Sequence, residues 1–195
     1  MTEKEILGGL SVAVGIVCYA VYIWGIYRGT TKPHLFTWLI WGILQSIAFA
    51  VQVVEKAGPG AWNLGVSALI IFCIAGASFF CGEKHITRSD WVAFITALLA
   101  IPLWKMTGNP LWAVVIAAMI DVAAFYPTFR KSWMKPWEEC AMAYFIGMVQ
   151  FILSILALER TTLATALYPF VSVSLDGLLI LMLLWRRKVL VFRPR

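Results

Sequence analysis

The stretch "KPHLFTWLIWGILQSIAFAVQVVEK", residues 32–56, decides the fold because the chain carries a second version of it. The second version is "KPWEECAMAYFIGMVQFILSILALER", residues 135–160. Both begin with Lys-Pro, carry Gly-x-x-Gln within an apolar run, and end with a glutamate followed by a basic residue. The matched pairs are Lys32/Lys135, Pro33/Pro136, Gly42/Gly147, Gln45/Gln150, Glu55/Glu159 and Lys56/Arg160. Their common order indicates an internal repeat.

The composition is typical of an integral membrane protein, since 62% of the 195 residues are hydrophobic and only 13% are charged. Apolar runs of about 18–22 residues recur, each long enough to cross roughly 30 Å of hydrocarbon. The first run is too long for the apolar part of a cleavable signal and lacks a basic start. Seven spans are predicted: Ile6–Ile26, Phe36–Val54, Trp62–Phe80, Trp91–Leu103, Leu111–Phe129, Ala141–Leu158 and Leu163–Trp185.

The basic residues predict the orientation of these spans. The formal net charge is +6, and because the basic residues sit beside apolar spans we expect membrane lipid, not nucleic acid, as their partner. Twelve fall on one side of the predicted membrane: Arg28, Lys32, Lys84, Arg88, Arg130, Lys131, Lys135, Arg186, Arg187, Lys188, Arg193 and Arg195. Four fall on the other: Lys4, Lys56, Lys105 and Arg160. We therefore expect an external amino terminus and a cytoplasmic carboxyl terminus in a bacterial plasma (inner) membrane.

The repeat predicts how the spans are grouped. Spans one to three pair with spans five to seven, and a direct copy of three spans would be inverted unless one linking span restored its direction. The predicted fold is all-α, with two parallel three-helix repeats joined by a linker helix (3+1+3). The predicted regions are residues 1–80, 81–106 and 107–195, the last including a basic tail. Parallel repeats of this kind are a transporter plan in which the substrate site lies near the membrane midplane.

This layout resembles that of the SWEET sugar transporters and PQ-loop proteins. The segment "FYPTFRKSW", residues 125–133, is similar to their PQ-loop, with Thr128 where glutamine is usual. In the first repeat, Gly25-Ile26 holds the equivalent place and lacks the proline. The bacterial nicotinamide riboside transporters share a related layout, so the resemblance implies a transporter but leaves its substrate open. In SWEET transporters, Asn and Trp on the third helix of each repeat contact the sugar, and Asn63 and Asp176 are the polar residues of spans three and seven here.

Four strongly polar side chains are predicted near the midplane, in four different spans. Gln45, Asp121, Gln150 and Asp176 lie near the centres of spans two, five, six and seven. Intramembrane acids are costly and face the bundle interior or a water-filled cavity, so the carboxyls point to a substrate or proton site. The competing interpretation is that these groups only hold helices together by hydrogen bonds. Because burial disfavours the charged form, we expect at least one aspartate to be protonated during part of a transport cycle.

Further residues are candidates for the lining of the site and for hinges. Aromatic and amide groups suit sugars or flat heterocycles, and the candidates are Tyr19, Trp41, Asn63 and Tyr168. For such aromatics in a membrane protein, packing within the core or anchoring at the membrane surface is the favoured interpretation. The hinge candidates are prolines that interrupt helices and glycines that allow close approach, namely Pro127, Pro169, Gly42 and Gly147.

The sequence favours a transporter of a small polar solute, such as a sugar, a nucleoside or vitamin, or an amino acid, over an enzyme. No ATP-binding motif is present, so transport would be facilitative or proton-coupled. A seven-helix receptor or sensor, or a non-transporting scaffold, stays open as the alternative, as does a homo-oligomer. Retinal is disfavoured because Lys188 lies beyond the last span. The contexts "MIDVA" and "SLDGL" match no intramembrane protease motif, and no spacing predicts a metal or other cofactor.

Overall fold

The computed structural model of this chain describes residues 1–29, 33, 35–82, 109–134, 136–138 and 141–191, and scattered positions between 88 and 106. Within this description, the side chains at 126, 127, 130, 131, 138 and 191 are excepted. Of the fourth predicted span, Trp91–Leu103, only residues 91, 92, 94, 95, 98, 99 and 102 are described, and most of the predicted linker region 81–106 lies outside the described residues. Of the predicted cytoplasmic side, Lys32, Lys84, Lys135, Arg193 and Arg195 also lie outside them.

Six α-helices make up most of the described chain, and they confirm the helical character of the other six predicted spans. They are α1 (Glu3–Tyr27), α2 (Leu35–Val54), α3 (Trp62–Cys81), α4 (Pro110–Met134), α5 (Ala141–Leu156) and α6 (Leu163–Val191). Two short 3-10 helices, Gly58–Ala61 and Pro136–Glu138, precede α3 and α5. No β-strand occurs in the part of the chain that the structure describes. The fold is thus all-α, as predicted.

Local sequence signals account for several helix ends. Asn109 accepts a hydrogen bond on Oδ1 from the backbone N–H of Leu111 over 2.9 Å, and Pro110 opens α4, where its missing N–H is not needed. Thr2 and Glu5 form a capping box that begins α1. Gly58 adopts a positive φ of 66° between α2 and the 3-10 turn, a conformation that glycine adopts without steric cost. These signals predict the helix starts from sequence alone.

Four helical segments are long and apolar enough to cross a membrane, and they are Glu3–Tyr27, Leu35–Val54, Gly58–Cys81 and Leu163–Leu190. Two shorter apolar helical segments are Pro110–Phe125 and Ala141–Leu156. Large apolar side chains, including Leu69, Phe80 and Leu181, are exposed on the outside of the bundle. An outward apolar surface around a polar interior is what a bilayer requires of its proteins.

The six helices pack in two groups of three with the same internal arrangement. In the first group α3 packs against both α1 and α2, and in the second α6 packs against both α4 and α5. Between the groups, α1 packs against α5 and α2 against α4. If α1, α2 and α3 are exchanged with α4, α5 and α6, the same set of helix–helix contacts results. We call α1–α3 the first half and α4–α6 the second half.

The largest apolar core lies between the halves. Its fully buried residues include Leu44 and Leu64 of the first half and Val114 of the second. Ala113 and Ala117, one helical turn apart on α4, are also completely buried in this core. Small residues at such positions let two helix backbones approach closely. The core therefore holds α2 against α4 and leaves the polar residues to gather beside it.

Candidate functional site

Buried polar side chains from all six helices form one group, which we call the polar band. Its members are nearly or completely shielded from solvent although they lie among apolar residues. The band consists of Tyr19, Gln45, Asn63, Ser67, Asp121, Gln150, Tyr168, Ser172 and Asp176, with the half-buried Trp41 beside it. Burial of so many polar groups is costly unless they interact with one another or with a ligand.

The acidic part of the band lies in the second half. The Ser172 hydroxyl donates to Oδ2 of Asp121 over 3.4 Å, and the Trp41 indole of α2 lies beside the same carboxyl. Asp176, one turn further along α6 than Ser172, lies near Asp121. Both carboxyls are buried, with 2% of Asp121 and 6% of Asp176 exposed. Two acids that the chain separates by more than fifty residues are thus neighbours inside the bundle.

Gly147 makes room for one of these acids. A Cβ atom added to Gly147 would lie 3.0 Å from Oδ2 of Asp176, closer than ordinary van der Waals contact. Gly42, its partner in the internal repeat, instead faces the ring of Phe72. The two glycines were predicted as hinges, and the structure places both of them at close side-chain contacts.

The amide part of the band lies mainly in the first half. The Tyr19 side chain lies close to those of Gln45, Ser67 and Gln150. The Ser67 hydroxyl is 3.4 Å from Oδ1 of Asn63. Gly15, one turn before Tyr19 on α1, faces the amide oxygens of Gln150 and Asn63, and a Cβ atom there would collide with Gln150. The absence of a side chain at residue 15 therefore creates the space that these two amides occupy.

Tyr168 joins the two parts of the band. Its side chain is 2% exposed and lies near Asp121, Asp176 and Tyr19. It sits one turn before Ser172 on α6, on the same helix face. The acids and the amides thus belong to one continuous polar region between the halves.

Several buried polar atoms of the band have no hydrogen-bond partner among the described residues. They are Oε1 of Gln45, Oε1 of Gln150 and Nδ2 of Asn63. An unpartnered buried polar atom costs about 1–3 kcal/mol in stability. Oε1 of Gln52 and the hydroxyl of Ser132 also lack a partner among the described residues, so the amides of the band point to a binding site only together with the acids beside them.

All eight residues predicted for the site lie in or beside the polar band, so the structure brings together side chains from six helices. Of the predicted hinges, Pro169 lies inside α6, whereas the side chain of Pro127 lies outside the described residues. Sequence reasoning missed Gly15, Ser67 and Ser172. The serines had a signal, because Ser67 follows Asn63 and Ser172 follows Tyr168 by four residues, which places each pair on one helix face. Gly15 had none.

A second set of polar contacts joins the halves at the end of the bundle where α1 begins. We call this the amino-terminal end. Ser154 of α5 donates to the carbonyl of Gly60 over 2.7 Å, and Gln52 of α2 donates to the carbonyl of Thr165 over 2.7 Å. The backbone N–H of Glu159 donates to the carbonyl of Ala57 over 3.0 Å. These bonds, together with the bond from Lys4 to Leu156, join the two halves at this end, and next to the polar band Ser11 donates to the carbonyl of Gln150 over 2.7 Å.

Contacts at the opposite end of the bundle are of a different kind. Arg186 donates to the carbonyl of Trp133 over 3.0 Å and stacks on its ring. Arg187 donates to the carbonyl of Pro136. These contacts lie within the second half. Between the halves in this part of the bundle, the Cys18 thiol of α1 donates to the carbonyl of Ala143, near the start of α5, over 3.6 Å, and Trp41, beside the polar band, contacts Phe125 with ring centroids 6.3 Å apart.

Cysteines and metal ligands add no further site in the described residues. Cys73 and Cys81 are exposed free thiols, the Cys18 thiol donates to the carbonyl of Ala143 over 3.6 Å, and Cys140 lies outside the described residues. The described residues contain no group of three or more His, Cys, Asp or Glu side chains able to hold a metal ion. No protein-family model, curated protein or solved structure matches this chain.

Proposed function

We propose that this protein is a membrane transporter for a small polar solute, which binds in the polar band. The observation that carries the proposal is the convergence of buried carboxyl, amide and hydroxyl groups from both halves, with Oε1 of Gln45 and of Gln150 left unpartnered by the described residues. Intramembrane acids are costly and mostly mark substrate or proton pathways. A transporter uses such a polar interior to replace the hydration shell of a solute.

The proposed topology is seven spans in a 3+1+3 arrangement, with span four as the linker. Its support is the repeat in the sequence together with the matching contacts within the two halves. The acceptor residues of two polar bonds at the amino-terminal end follow the same relation, because Gly60 and Thr165 are 105 residues apart, as are Gln45 and Gln150, whereas their donors Ser154 and Gln52 are not equivalent. Gly60 accepts from the second half and Thr165 accepts from the first.

The proposed mechanism is a rocking of the halves about the polar band. Most of the described hydrogen bonds between the halves lie toward the amino-terminal end, and in the opposite part of the bundle the Cys18 thiol donates to the carbonyl of Ala143 over 3.6 Å. We assign the conformation as closed at the amino-terminal end. The distribution of basic residues supports placing that end outside and the carboxyl terminus in the cytoplasm of a bacterial plasma membrane.

Uptake into proteoliposomes tests the proposal. The purified protein is reconstituted and offered radiolabelled sugars, nucleosides, vitamins and amino acids, each at two pH values, with protein-free liposomes as the control. We expect saturable uptake of at least one solute class. Single Asp121→Asn and Asp176→Asn variants should change its rate or its pH dependence. The absence of uptake for every solute would contradict the proposal and favour a sensor or scaffold.

A further inference from the structure

The polar band is rich in hydrogen-bond acceptors. It presents the carboxyls of Asp121 and Asp176 and the oxygens Oε1 of Gln45 and Gln150, which lack a partner among the described residues. Nδ2 of Asn63 is the one unpartnered nitrogen of the band in the same residues. An ionised carboxylate only accepts hydrogen bonds, so the site suits a ligand that donates hydrogen bonds better than one that accepts them.

The described residues supply no positive charge to this region. Among the described residues, no lysine, arginine or histidine side chain is buried. Described basic side chains instead donate hydrogen bonds at the two ends of the bundle. Lys4 donates to the carbonyl of Leu156 at the amino-terminal end, and Arg186 donates to that of Trp133 at the opposite end. Two buried acids without a protein cation are costly to ionise in a low-dielectric interior. A positively charged ligand would offset that cost.

The walls of the band are aromatic next to the acids. Trp41 lies beside Asp121, and its ring centroid is 5.5 Å from that of Trp38 and 6.3 Å from that of Phe125. The Trp38–Trp41 pair is edge-to-face, at 85°, so the two indoles present differently oriented faces. Aromatic faces attract organic cations, and indole does so most strongly. Small inorganic cations instead prefer a closed shell of oxygen ligands.

We propose that the solute is an organic cation, with its ammonium group between Asp121, Asp176 and Trp41 and a hydroxyl or amine facing Gln45 and Gln150. The inference rests on the proposed transport function and names the substrate class of the same site. Tyr168 lies near Asp121 and Asp176 and near Tyr19 of the amide part, so we expect one solute to contact both parts. The amide end selects among cations, because its unpartnered oxygens need a donor and Nδ2 of Asn63 needs an acceptor.

Matched ligands that differ only in charge test the inference. Binding of choline to the full chain in detergent is compared by calorimetry with binding of 3,3-dimethyl-1-butanol, in which carbon replaces the ammonium nitrogen. Pentylamine, which is protonated at neutral pH, is compared with 1-pentanol in the same way. We expect at least one cation to bind about tenfold or more tightly than its uncharged counterpart. Equal binding of both members of each pair would overturn the inference, and so would binding of sodium or potassium alone.

Variants of the two aspartates test whether these residues bind the cation. Asp176→Asn and Asp121→Asn should each weaken binding of the cation by about tenfold or more. Glu3→Gln is the matched control, since Glu3 is an exposed acid in the first turn of α1. If an aspartate variant fails to fold, the comparison of matched ligands on the unchanged protein still tests whether the site recognises a positive charge. Uptake of neutral solutes without uptake of cations contradicts the substrate class only, whereas uptake of no solute contradicts the transport function as well.

Discussion

The side chain of Gln52 supplies the hydrogen bond that Pro169 removes from α6. In an uninterrupted helix the backbone N–H of residue 169 would donate to the carbonyl of Thr165, and proline has no N–H. Nε2 of Gln52 donates to that carbonyl over 2.7 Å. Because Gln52 belongs to α2 and Thr165 to α6, the repair of one helix also joins the two halves of the bundle.

Replacing Gln52 by leucine should therefore destabilise the protein in a way that depends on Pro169. The Gln52→Leu variant leaves the Thr165 carbonyl without its donor, which costs about 1–3 kcal/mol. In a Pro169→Ala background, the N–H of residue 169 is available, so the same change should cost less. Melting temperatures of the four proteins in one detergent measure the coupling. Equal losses in both backgrounds would show that Gln52 does not act through the proline.

Removing the Ser154 hydroxyl should weaken the fastening at the amino-terminal end. Ser154 is completely buried, and its hydroxyl reaches across the halves to Gly60, so Ser154→Ala should cost about 1 kcal/mol. Ser174→Ala is a matched control, because the Ser174 hydroxyl donates to Phe170 within its own helix over 2.8 Å. We expect a lower melting temperature for Ser154→Ala than for Ser174→Ala. The reverse order would argue against a polar fastening between the halves.

An alanine at residue 147 should disturb the acidic part of the band. Its Cβ atom would lie 3.0 Å from Oδ2 of Asp176, which forces the carboxyl to shift by a few tenths of an ångström. We expect Gly147→Ala to reduce uptake of the solute several-fold with little loss of folded protein. Gly76→Ala is the control, since nothing lies within 4 Å of a Cβ atom there and alanine favours the helix by about 1 kcal/mol. Unchanged uptake in Gly147→Ala would show that transport does not depend on the space next to Gly147.

An alanine at residue 15 should disturb the amide part of the band more severely. Its Cβ atom would collide with Oε1 of Gln150, and overpacking of this kind costs about 1–3 kcal/mol. Shortening the neighbour in Gly15→Ala/Gln150→Ser should recover part of the lost melting temperature. Gly9→Ala in the same helix is the control, because no atom lies within 4 Å of its Cβ position. Failure of the double variant to recover stability would contradict the assigned contact.

The helices and the identity of the central polar residues were accessible from the sequence. The runs of apolar residues predicted α2 to within a residue at each end, and Asn109-Pro110 marked the start of α4. Asp121 and Asp176 were recognisable as site residues because an acid within a long apolar run is rare and costly, and such acids mark functional sites. The predicted helix ends differed most at the carboxyl ends of α4 and α6. Both helices continue several residues beyond their apolar runs, because helical hydrogen bonding does not stop where hydrocarbon ends.

The sequence alone predicts which segments are helical and which polar groups are shielded from the membrane, since both follow from local composition and spacing. Only the tertiary structure decided which helix faces meet. The bond from Gln52 to Thr165, the space that Gly15 leaves for Gln150, and the position of Tyr168 between acids and amides depend on helix rotation and depth. Those quantities are set by packing of the whole bundle at once. The sequence of a helix specifies its apolar and polar faces, but the packing of the surrounding helices determines which element each face contacts.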